Sequence, residues 1–127
     1  MIVDTDIIIR FLTGDDATKA GRFNKLLDQE ESLTLTDVTF AETYWTLHKF
    51  YKFSDPQIIE GLESLLSYEC LSANKLVLRK TLEILAKYRV SFIDAYTSSY
   101  ALLEDTGEVL SYDKGYDKVA GVKRLEP

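Results

Sequence analysis

The sequence predicts an α/β fold: a four- to five-stranded, mostly parallel sheet flanked by helices, an α/β/α sandwich, in a single domain over residues 1–127. Short apolar or alternating runs of strand length recur between longer stretches with helical apolar spacing. Capping residues and glycines stand at the boundaries of those stretches. No Pro-, Gly- or Ser-rich linker, internal repeat or low-complexity segment divides the 127 residues, a length that suits one domain with its own core.

The elements follow in order. Met1-Ile-Val-Asp4 reads as a short buried strand ending in a carboxylate. A helix starting just after Asp4 is stopped by Gly14. Asp15 and Asp16 open a second helix to about Gln29, with Ala20, Phe23, Leu26 and Leu27 at helical spacing. Ser32 to Thr36 alternates as a strand, and a helix runs from about Val38 to Tyr51. Ser54-Asp-Pro56 signals the next helix, with Pro in its first turn. Glu69 to Ala73 is a third strand, and Asn74 caps a helix through about Arg89. A further helix spans about Phe92 to Glu104, Gly107 ends it, and Glu108 to Ser111 forms a fourth strand. Asp113 to Val119 is a turn or short helix, and Lys123 to Leu125 an edge strand.

Composition removes several kinds of chemistry. Cys70 is the only cysteine and His48 the only histidine, which excludes disulfides and the usual zinc-ligand patterns. A Ser-His-Asp or Cys-His site would rest on His48, whose neighbours offer no such partners. There is no run of about 18 apolar residues to span a membrane, and Asp4 and Asp6 interrupt the only apolar run near the N-terminus. A secretory signal is not expected, and the chain reads as cytoplasmic. The net charge of −6 argues against a nonspecific nucleic-acid binder with a basic stripe. Divalent cations held by clustered acids would offset much of that charge locally.

The acids carry the chemistry. Ligands of open parallel sheets bind beyond the carboxyl ends of the strands. Asp4 ends the first strand, and Asp113 stands two residues after the fourth. Glu42 lies near the start of the helix after the second strand, and Asp94 in the first turn of the helix before the fourth. All four are expected to face one sheet edge. Two like charges about 4 Å apart repel by roughly 4 kcal/mol at an effective dielectric of 20, so such a cluster requires protons or cations. Hard oxygen donors suit Mg²⁺ or Mn²⁺, which activate water for in-line attack on phosphate.

Each acid also has a structural reading. Thr39 and Glu42, like Ser91 and Asp94, have capping-box spacing. Asp113 fits a turn before Lys114-Gly115, and Asp117 a solvated surface position. Asp4 fits a structural role least, because an unpaired charge at a buried strand end is costly. Thr97, Ser98 and Ala101 give Asp94 a small, polar helix face, suited either to an ion or to close helix–sheet packing.

The segments Ile2-Val-Asp4-Thr-Asp6 through Gly14-Asp-Asp, Phe40-Ala-Glu42-Thr-Tyr-Trp-Thr-Leu, Phe92-Ile-Asp94-Ala-Tyr and Ser111-Tyr-Asp113-Lys-Gly-Tyr-Asp117-Lys resemble, in order and spacing, four motifs of PIN-domain proteins, in particular VapC-type toxins. The resemblance implies a Mg²⁺- or Mn²⁺-dependent endoribonuclease. It assigns Asp4, Glu42, Asp94 and Asp113 to catalysis and metal binding, with Asp117 as an auxiliary acid. It also implies an RNA substrate, a cognate antitoxin that blocks the acidic site, and a homodimer. Asp6 departs from the small polar residue of many relatives and is a secondary acid. Arg10 is a candidate for RNA phosphate, with a salt bridge to a nearby acid as its alternative.

Rivals fit less well. The Asp4-Thr-Asp6 pair suggests an aspartyl phosphatase of the haloacid-dehalogenase type, but Ile8 stands where Thr or Val is expected. A receiver domain needs an acid at the end of the third strand, where Ala73-Asn74 lies. A catalytically silent PIN-like protein-binding module is the alternative of another class. The aromatic residues Tyr44, Trp45, Tyr51 and Phe53 are expected to supply part of a dimer or antitoxin surface, or else to pack in the core.

Overall fold

The computed structural model describes residues 1–127, which divide into two compact units, Met1–Lys75 and Leu76–Pro127.

In the first unit the expected opening strand is cut to a single bridged residue, Ile2, parallel to Thr34. Val3 N–H donates to the Thr34 carbonyl (2.9 Å) and Thr34 N–H to that of Met1 (2.7 Å). The run ends there because Asp4 already serves as N-cap of α1 (Thr5–Thr13), accepting from the Thr5 N–H at 2.8 Å. Asp4 is consequently exposed, not buried at a strand end as its apolar neighbours suggested. Ile8 and Ile9 face inward, and Gly14 closes the helix in the left-handed conformation (φ 64°). That conformation is open to glycine at little cost.

Asp16 caps α2 (Ala17–Asp28), which buries Phe23 and Leu27 one turn apart. Phe11 meets Phe23 edge-on at 5.3 Å and joins the two helices. β1 (Leu33–Thr34) leads into α3 (Asp37–Lys49), capped by Thr36. The Ser54–Gln57 capping box opens α4 (Asp55–Leu66), with Pro56 in its first turn. β2 (Leu71–Ser72) pairs in parallel with β1, Leu33 opposite Leu71. Leu33, Leu35 and Leu71 are each at most 2 % exposed, so this short ladder lies in the core.

The second unit carries nearly all of α5 (Lys75–Lys87), then α6 (Phe92–Glu104), capped by Ser91. Buried Thr81 and Ser99 join the two helices, hydroxyl to hydroxyl, at 3.2 Å. The amide of Asn74, which directly precedes α5, donates to Asp37 Oδ2 at 3.5 Å. β3 (Glu108–Leu110) pairs in parallel with β4 (Lys123–Leu125), Val109 opposite Arg124. A 3₁₀ turn, Lys114–Lys118, connects them, and Ala101, Val109 and Tyr116 form a small core with Val122 against it. The fold is α/β, with six helices and short strands whose pairings are all parallel.

Candidate metal centre

In the first unit, Asp4 and Glu42 line one cleft of about 330 Å³ together with Thr5, Asp6, Ile9, Arg10, Thr46 and Tyr51. The cap geometry of α1 fixes Asp4: its Oδ1 is held by the Thr5 N–H, which leaves Oδ2 open. Glu42 is set on the second turn of α3. The capping-box reading does not hold for it, because the hydroxyl that receives the α3 N-terminus belongs to Thr36, which accepts from the Thr39 N–H at 3.2 Å. Glu42 is exposed and has neither a hydrogen bond nor an ion pair. An acid with no structural partner, next to a second acid, is a ready oxygen donor for a hard cation.

In the second unit, Asp94 and Asp113 meet around Gly115. Ser91 Oγ accepts the Asp94 N–H at 3.1 Å, so Asp94 is placed by the first turn of α6. Asp113 caps the 3₁₀ turn, its Oδ1 accepting the Gly115 N–H at 2.8 Å. A β-carbon at Gly115 would stand 2.7 Å from Asp94 Oδ2 and 3.1 Å from Asp113 Oδ1. The absence of a side chain is what lets both carboxylates approach this backbone. Burial pushes the Tyr116 phenol above its ordinary pKa. A hydrogen bond with Thr97 opposes the rise, while the charge and hydrogen bond of Asp94, and the charge of Asp113, add to it. Tyr116 therefore stays a neutral group beside the acid pair.

No three His, Cys, Asp or Glu side chains gather into a metal-holding group. The acids stand in pairs, Asp4 with Glu42 in the first unit and Asp94 with Asp113 in the second. The chemistry of the donors fits Mg²⁺ or Mn²⁺, since all are carboxylates and no nitrogen or sulfur ligand stands among them. The small face of α6 is buried, with Ser98 and Ala101 packed inside. The Ser98 hydroxyl is the one buried side-chain oxygen without a partner.

The remaining predicted residues are occupied differently. Asp117 gives both carboxylate oxygens to Arg124, at 3.0 Å (Nε) and 3.4 Å (Nη2). Arg124 also donates to the Ser111 carbonyl (3.0 Å) and to Glu126 (2.6 Å). Arg124 thereby ties both ends of the loop that carries Asp113. Arg10 forms a 2.6 Å salt bridge with Asp15, the alternative expected for it, while still lining the Asp4–Glu42 cleft. Asp6 is exposed at the edge of that cleft and of a second one, about 310 Å³, between α1 and α2. Sequence reasoning missed Gly115, Tyr116 and Arg124. The Lys114-Gly115 pair was legible as a turn, but nothing in the chain ties Arg124 to Asp117 before β3 and β4 pair.

The aromatic residues divide. Tyr44 is core, at 7 % exposure, with its hydroxyl 2.8 Å from Asp55, whereas Trp45 and Phe50 are exposed. No helix is long and apolar enough to cross a membrane.

Comparison with known proteins places the chain in a family. Over 99 % of its length the chain is 25 % identical to a VapC ribonuclease of Aquifex aeolicus (strain VF5), 96 % of which is covered. The PIN domain family matches residues 1–122, across both units and through all four acidic motifs. The chain belongs to the PIN-domain family and is similar to its VapC-type members.

Proposed function

We propose that the chain is a divalent-metal-dependent endoribonuclease, acting in the cytoplasm as the toxin of a toxin–antitoxin pair, with residues 1–127 forming one nuclease domain. Asp4, Glu42, Asp94 and Asp113 would hold the ion, Mg²⁺ or Mn²⁺. When bound, that ion polarises the phosphate and lowers the pKa of a water. The protein's own part is to orient the acids. The Thr5 N–H holds one oxygen of Asp4 and the Gly115 N–H one oxygen of Asp113, and the other oxygen of each is left without a hydrogen bond. Tyr116 and the Ser91 cap fix Asp94. Asp117 acts indirectly, through Arg124, on the loop that carries Asp113.

The observation that carries this reading is Glu42, an exposed and unpartnered acid that shares a cleft with Asp4. The similarity to a VapC ribonuclease supports RNA as the substrate. An acidic site also suits an antitoxin segment bearing a basic side chain, and a homodimer is proposed with it.

The test is RNA cleavage by purified, antitoxin-free protein. Cleavage is expected with Mg²⁺ or Mn²⁺ and not in excess EDTA. Asp94→Asn should lower the rate by on the order of 100-fold or more while the circular dichroism spectrum stays unchanged. Undiminished cleavage in EDTA would overturn the metal mechanism.

A further inference from the structure

The C-terminal half of α3 presents an aromatic and cationic surface that the acidic site does not use. Trp45 is 50 % exposed and Phe50 67 % exposed, an unusual placement for the two largest apolar side chains of this segment. Their rings meet edge-on at 5.5 Å, and the Lys49 ammonium lies 4.9 Å from the Trp45 ring centre. Lys52, also exposed, follows in a left-handed conformation (φ 53°) that ends the segment.

Its position gives the patch meaning. Glu42, Trp45 and Lys49 are spaced three and four residues apart, which sets them along one side of α3. Thr46 and Tyr51, within the same segment, line the cleft of Asp4 and Glu42. The platform therefore lies beside the acidic cleft, on the segment whose Glu42, Thr46 and Tyr51 line it. Single-stranded RNA offers what it lacks, namely unpaired bases to lie on aromatic faces and phosphates to meet the lysines. In a duplex the bases are already stacked on one another, so duplex RNA has no free face to offer.

We infer that Trp45 and Phe50, with Lys49, form a stacking platform for a base of single-stranded RNA next to the cleavage site. This rests on the ribonuclease reading and adds to it the residues that hold an unpaired base. The platform also explains how a chain of net charge −6 engages a polyanion: binding is local and aromatic, with few cations.

Trp45 is the only tryptophan, so its fluorescence reports directly on this surface. A short oligouridylate added to the parent protein in EDTA is expected to quench that emission, and a duplex of the same length to leave it unchanged. With Mg²⁺, Trp45→Ala and Phe50→Ala should each raise KM for single-stranded RNA by roughly 5- to 100-fold with little change in kcat. Trp45→Phe should restore most of the loss. Normal cleavage with no quenching, or with unchanged KM in both alanine variants, overturns the platform and leaves the nuclease reading standing. Quenching without cleavage under any divalent ion supports the platform while sinking that reading. If Trp45→Ala instead converts a dimer to a monomer in sedimentation, the surface is a protein interface and the inference is wrong.

Discussion

At the scale of single residues, the acids differ in what holds them. Asp4 and Asp113 each give one oxygen to a backbone N–H, Asp117 gives both to Arg124, and Glu42 gives none. A carboxylate committed on one side has its orientation fixed at little cost in donor capacity. Gly115 is the most exacting position. Its substitution by Ala meets only the ends of two short side chains, so the fold should survive, with a stability loss of about 1 kcal/mol. Asp94 and Asp113 would have to swing away, and Mn²⁺ affinity should fall by roughly 10- to 100-fold, the range seen when groups supporting metal ligands are altered. Titration calorimetry of the variant checks this; unchanged Mn²⁺ binding would show that the two acids do not act through their approach to this backbone.

At the scale of elements, caps and joints position the site. Ser91 sets the start of α6 and therefore the turn on which Asp94 stands. Ser91→Ala should cost about 1 kcal/mol in urea unfolding, and Ser91→Asp, another good capping residue, should recover it. Between α1 and α2 lies a joint of another kind, in which Asp15 receives Arg10 at 2.6 Å and the Tyr51 hydroxyl at 3.2 Å. Slight burial pushes the Asp15 carboxyl up, but Thr13, Arg10 and Tyr51 outweigh it and hold its pKa below the ordinary 3.8. A depressed folded-state pKa favours the ionised, folded form. The stabilisation is therefore complete above the ordinary value and is lost as pH falls below it. The stability difference between the parent and Asp15→Asn should be constant near neutrality and should shrink below pH 3.8. A difference that persists undiminished at about pH 2 would show that Asp15 is not held in this way.

At the scale of the whole chain, the family match runs through residues 1–122 and so includes both compact units. One nuclease domain should unfold in one cooperative transition. Scanning calorimetry is expected to give a single peak whose calorimetric and van't Hoff enthalpies agree, and saturating Mn²⁺ should move that whole peak upward. Two resolved peaks, only one of them shifted by Mn²⁺, would mean that the units fold and bind separately.

The sequence by itself determined the helices and the parallel α/β class, and it singled out the acids that are proposed to form the site. Helix boundaries were legible because caps act locally: Asp4, Asp16, Ser54, Ser91 and Gly14 stand where their short-range hydrogen bonds or backbone conformation require them. The strands were less legible. Apolar runs at Met1–Asp4 and Ser32–Thr36 predict longer strands than the single bridge and two-residue ladder that form, since a strand's length depends on its partner. Only the tertiary structure decided that Thr36, not Thr39, caps α3, which leaves Glu42 free. Likewise it alone joined Arg124 to Asp117, brought Asp94 to Gly115, and left Trp45 exposed while burying its neighbour Tyr44. The physical reason is the same throughout. Caps and turns are settled by residues a few positions apart, whereas ion pairs, close approaches and burial depend on segments that meet only after the chain has folded.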